Sequence, residues 1–70
     1  MKYYVIACGW MGMNEEEMKE VIMNNDTRFF DVYDNYEEAE ARYFYQAENN
    51  LDDDECCYIF DGNNIIKELQ

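Results

Sequence analysis

The chain is predicted to adopt an α+β fold: a small, mostly antiparallel sheet of three to four strands with two helices packed on one face, in the order β-α-β-α-β-β. Three observations lead to it. Tyr3-Tyr4-Val5-Ile6-Ala7-Cys8 and Cys56-Cys57-Tyr58-Ile59-Phe60 are short β-branched and aromatic runs of the kind that fill buried strands. Asn14 with Glu17 and Asn35 with Glu38 each place an N-capping side chain three residues before a glutamate, ahead of apolar residues at helical spacing. Asp61-Gly62-Asn63-Asn64, between two apolar runs, is a hairpin signal.

Each element has its own local reason. Gly9 closes the first strand. In the first helix Met18, Val21 and Ile22 share one face, opposite Glu16, Glu17 and Glu20, and Asn24-Asn25-Asp26 ends it. Met23 is expected to pack with Met18. Arg28 to Tyr33 reads as a second strand, with Phe30 and Val32 on one side and Phe29 and Tyr33 on the other. Tyr36, Ala39, Tyr43 and Ala47 form the apolar stripe of a second helix, followed by a polar loop from Glu48 to Glu55. Cys56 to Phe60 and Ile65 to Leu69 complete the set.

Seventy residues make a single domain, 1–70, that buries roughly 60% of its unfolded surface. That is too little for a large catalytic cleft. With 49% hydrophobic and 17% aromatic residues the chain is expected to fold despite its charge. The apolar start Met1 to Gly9 is too short for a signal peptide and nothing approaches a membrane span, which predicts a cytoplasmic protein without a membrane partner.

The stretch Tyr3 to Gly9, a helix, and then Arg28-Phe29-Phe30-Asp31-Val32-Tyr33-Asp34-Asn35-Tyr36-Glu37-Glu38-Ala39-Glu40-Ala41-Arg42-Tyr43-Phe44 resemble the N-terminal hybrid-binding domain of eukaryotic ribonuclease H enzymes and viroplasmins. In that family a tyrosine-rich strand precedes a helix, and an aromatic strand leads through a cap into a Glu-Glu-Ala-Glu helix. The resemblance covers residues 1–44 and implies a related fold. The lysines and arginines with which the family holds nucleic acid have no counterpart in Trp10-Met11-Gly12-Met13 or Asp31-Val32-Tyr33-Asp34, so the fold is carried over and the nucleic-acid activity is not.

Charge points the same way. Seventeen acids against five bases give −12, and binding to nucleic acid depends on cations that release phosphate counterions. No direct contact with nucleic acid is expected; a basic nucleic-acid-binding protein is the expected partner. The candidate binding residues are Glu16, Glu17 and Glu20; Asp34, Glu37 and Glu38; Asp52, Asp53, Asp54 and Glu55; and Trp10, in an apolar loop that could anchor a partner or, with Met13, cover the end of the core. In size and charge the chain is similar to small acidic inhibitors of phages and mobile elements, anti-CRISPR and antirestriction proteins among them, which suggests an inhibitor that mimics nucleic-acid charge. The alternative is an interaction or dimerisation module using an apolar patch or strand edge, with the acids serving as solvated helix faces.

Enzymatic chemistry has little footing. Serine and histidine are absent and Thr27 is the one threonine, so the usual nucleophile and base pairs are missing. Cys8, Cys56 and Cys57 form neither a zinc pattern nor a disulfide framework and are expected as reduced thiols; the acids before Cys56 and Cys57 should raise their pKa. Asp52-x-Asp54 begins like a calcium loop, but its register puts Cys57 where glycine is needed and Asn63 where the bidentate glutamate belongs. No cofactor is expected.

Overall fold

The chain is described by a computed structural model covering residues 2–9, 11–50 and 55–69. Its elements are β1 (Tyr3–Cys8), α1 (Glu15–Met23), β2 (Phe30–Tyr33), α2 (Tyr36–Tyr45, extended by a π-helical turn over Gln46–Asn50), β3 (Cys56–Phe60) and β4 (Ile65–Leu69). The strands form one sheet in the order β2-β1-β3-β4, each neighbour antiparallel to the next. The α+β class, the strand count and the element order are those predicted.

The helices do not share a face. Met18, Val21 and Ile22 of α1 pack on Ile6, Phe30, Tyr58 and Phe60. Tyr36, Ala39 and Tyr43 of α2 pack on Val5, Cys57 and Ile59, which point to the other side of the sheet. The reason lies in β3, where all five residues are buried. A strand without a polar alternation has two apolar sides, and each needs a cover. The connections permit it: β2 and β3 are both antiparallel to β1, hence parallel to each other, so α2 is a crossover spanning β1.

Side chains fix the helix ends. Asn14 Oδ1 accepts the Glu17 N–H at 2.8 Å while Glu17 Oε1 accepts the Asn14 N–H at 3.1 Å, a complete capping box. At the other end of α1, Asn25 is left-handed (φ 54°), the Asn25 N–H donates to Ile22 O and the Asp26 N–H to Val21 O, both at 3.0 Å. This is a Schellman ending, with asparagine in the position glycine usually takes. Asn35 Oδ1 accepts the Glu38 N–H at 2.8 Å and starts α2.

Three local expectations are revised. β2 begins at Phe30 rather than Arg28, because the Phe29 N–H turns back to Asp26 O at 3.1 Å and the Arg28 guanidinium clamps the Asp26 carboxylate. The second helix runs on to Asn50 rather than yielding to a loop at Glu48, since nothing in Gln46-Ala47-Glu48-Asn49 breaks it and the Asn49 amide donates to Tyr45 O at 3.2 Å. Met23 is 81% exposed, because α1 turns only Met18, Val21 and Ile22 toward the sheet.

Gly12 is the tightest point of the β1–α1 connection. Its φ is +72°, and a Cβ there would lie 2.5 Å from the Tyr58 hydroxyl, which accepts the Met13 N–H at 3.3 Å. Gly12→Ala therefore combines left-handed strain with displacement of a buried ring. It is expected to cost about 2 kcal/mol, read as a lower urea midpoint at unchanged slope; a midpoint equal to that of the parent would contradict this packing.

Candidate functional site: the acidic end of the sheet

The strand register defines one end of the molecule. Tyr3 pairs with Tyr33, Tyr4 with Phe60, and Phe60 with Ile65, so the start of β1, the ends of β2 and β3 and the start of β4 lie together. α2 begins there, and α1, on the other face, reaches this end through the Glu15 side chain. α2 starts two residues after β2, with the Tyr36 ring edge-on to Tyr3 at a centroid distance of 5.7 Å. α1 arrives at the opposite corner, where the Glu15 carboxylate accepts the Ile65 N–H at 3.3 Å.

Of the predicted acidic groups, Asp34, Glu37 and Glu38 are exposed at the β2 corner of this end, while Glu16, Glu17 and Glu20 are exposed along α1, with Glu17 near Cys8. The β3–β4 hairpin also places Asp61 at this end, where its Oδ1 accepts the Asn63 and Asn64 N–H groups at 2.8 and 2.7 Å. Those two backbone donors hold the Asp61 carboxyl below its usual range, so it stays charged. Glu55 is half-buried and precedes β3, at the far end. Trp10, Asp52, Asp53 and Asp54 lie outside the described residues. Met13 does pack on the core, and Met11 is 82% exposed.

The helix dipole favours acids in a first turn, and rigid caps hold them there. Three of the five bases are paired away from the helix starts. Arg28 pairs with Asp26 at 2.8 Å, Arg42 with Asp31 at 3.3 Å and Lys67 with Glu40 at 3.9 Å. Such exposed pairs add little stability, but they neutralise the flank of α2 and β2 and leave the helix starts negative. Lys2, beside Tyr3, is a base at the acidic end. An open depression of about 650 Å³ lies at the start of α2, lined by Asn35, Tyr36, Glu37, Glu38 and Ala41.

Glu15, which the sequence groups with Glu16, Glu17 and Glu20, reaches this end, and so does Asp61, which the sequence marks only as a turn residue. Only the strand pairing carries that turn to the start of α2. Nothing local signals that Glu15 reaches β4.

Cys8, Cys56 and Cys57 are buried free thiols. Burial is the main cause that pushes Cys8 and Cys57 up to about 11, with nearby Cys56 and Glu17 adding to the effect at Cys8. Glu55, the described acid of the run before Cys56, also adds to the rise at Cys8. Among the described residues no group of histidine, cysteine, aspartate or glutamate could hold a metal ion, and no helix is long and apolar enough to cross a membrane. Cys57, which a calcium loop would need as glycine, is in the middle of a buried strand layer.

Burial also raises Tyr33, Tyr36, Tyr43 and Tyr58. These groups hold their protons more tightly folded than unfolded, so their contribution is complete below the ordinary thiol value of 9.0 and is lost as pH rises through about 11. Thermal melts followed by circular dichroism should give a level Tm from pH 7 to 8.5 and a steady fall above pH 9. A Tm as high at pH 11 as at pH 8 would contradict the burial of these groups.

Comparison of the chain with protein-family models, with curated protein sequences and with solved structures gives no match.

Proposed function

We propose that this protein is an acidic inhibitor that occupies the basic groove of a nucleic-acid-binding protein and keeps nucleic acid out of it. The observation that carries the reading is the pair of capped, acidic helix starts, α2 at the end of the sheet that holds Asp61 and α1 reaching that end through Glu15. The two starts lie on opposite faces of the four-stranded sheet, so their carboxylates are held apart by the body of the domain. Carboxylates on short, capped helices keep that spacing without an ordering cost on binding. The net charge of −12 steers such a surface toward cations. A CRISPR or restriction effector is the kind of target this charge and size suit.

A second reading has its own support. β2 is an edge strand with Val32 45% exposed, and Phe44 and Tyr45 are exposed on α2, so an apolar or strand-edge interface is the competing proposal.

Immobilised protein should capture basic nucleic-acid-binding proteins from a nuclease-treated lysate, and duplex DNA or rising salt should release them. Glu16→Lys and Glu37→Lys, one at each helix start, are each expected to weaken capture roughly tenfold, about 1.4 kcal/mol. Glu48→Lys carries the same charge change at the far end of the second helix and should matter much less. Capture that persists at 1 M salt, ignores these lysines and is lost in Val32→Glu would replace the acidic reading with the edge-strand one.

A further inference from the structure

Cys8 ends β1 and Cys56 begins β3, and the register places them directly opposite each other. Both side chains lie in the cluster beneath α1, Cys8 9% and Cys56 5% exposed, and Cys56 is close enough to help push the Cys8 thiol up. Tyr58 is buried in the same cluster. Cys57, one residue on, points through the sheet into the other cluster, against Val5, Ala39 and Tyr43. The sheet therefore sorts three thiols into a facing pair and one isolated group.

We propose that Cys8 and Cys56 are a redox pair that closes to a reversible cross-strand disulfide, leaving Cys57 reduced. Opposed residues of an antiparallel pair have Cα atoms about 4.5–5.5 Å apart, inside the range of about 4.4–6.8 Å that disulfides span. The Ala7 N–H donates to Phe29 O at 3.0 Å, toward β2, so by the alternation of the ladder Cys8 directs its backbone to β3. That is the wider of the two kinds of cross-strand pair, and closing it draws the strands together slightly. Both residues are at strand ends, and Gly9, exposed beside Cys8, can yield. The residual strain makes the bond easy to reduce.

The burial of both sulfurs selects a small oxidant, and a peroxide serves. One thiolate attacks the peroxide oxygen and breaks the O–O bond, giving a sulfenic acid and releasing hydroxide, which takes up the proton lost by the thiol to form water. The second sulfur then attacks the sulfenic sulfur, its proton and the departing hydroxyl leaving as a second water. Two thiols are oxidised by two electrons in all, and one peroxide is reduced to two waters.

The test uses the intact, folded chain treated with equimolar hydrogen peroxide. Titratable thiols in denaturant should fall from three to one, the mass should drop by two hydrogens with no oxygen added, and peptide mapping should join Cys8 to Cys56; dithiothreitol should restore all three thiols. Cys57→Ala should form the same bridge, and Cys56→Ser should form none. Retention of three thiols, a bridge that includes Cys57, a bridge between two chains, or stable oxygen addition to Cys8 or Cys56 would each overturn the proposal. Because Cys57→Ala must still close the bridge, the inference remains testable even where Cys56→Ser does not fold.

Discussion

β3 is the constraint from which the rest of the architecture follows. Cys56 to Phe60 are five consecutive buried residues, so neither side of this strand can face water. It pairs along its length with β1, whose Val5 and Ile6 are also fully buried and point to opposite sides. A helix on one face alone would leave Cys57, Ile59 and Val5, or else Tyr58, Phe60 and Ile6, in contact with solvent, at roughly 1.5–3 kcal/mol for each large side chain. The chain therefore spends one helix on each face. Ala39, fully buried, lets α2 approach the sheet on its side, and Met18 fills the gap under α1 on the other.

That division has an electrostatic consequence. Helices on opposite faces show their outer acids to opposite sides of the molecule, so Glu20 on α1 cannot act with the outer face of α2 on one flat partner. Among the described residues, the end of the sheet where α2 starts gathers Asp34, Glu37 and Glu38 with Asp61 and, through its contact with Ile65, Glu15. Glu15, Glu37 and Glu38 occupy the first-turn positions that the helix dipole favours for stability. Stability and the negative end thus have a common origin, and the self-repulsion of clustered acids is partly offset by the dipoles and caps they sit on.

The thiols show the same dependence on the sheet. Adjacent cysteines in a strand necessarily point to opposite faces, so Cys56 and Cys57 enter different cores although they are neighbours in the chain. Cys56 meets Cys8, forty-eight positions away, because β1 and β3 pair in the register Cys8↔Cys56.

What the sequence determined by itself was every element whose cause is local. The capping side chains Asn14 and Asn35, the stripes Met18-Val21-Ile22 and Tyr36-Ala39-Tyr43, the turn at Asp61-Gly62 and the apolar strands all act over a few residues, and they produced the element order and the α+β class without tertiary help. The unbroken apolar run at Cys56 to Phe60 also carried the information that both faces needed covering, but not which helix covers which face. Tertiary structure decided the rest: which face each helix takes, that Glu15 reaches Ile65, that Asp61 joins the start of α2 while Glu55 falls at the far end, and that Cys8 faces Cys56. These depend on strand order and on which strands pair, which arise from contacts between residues far apart in the chain.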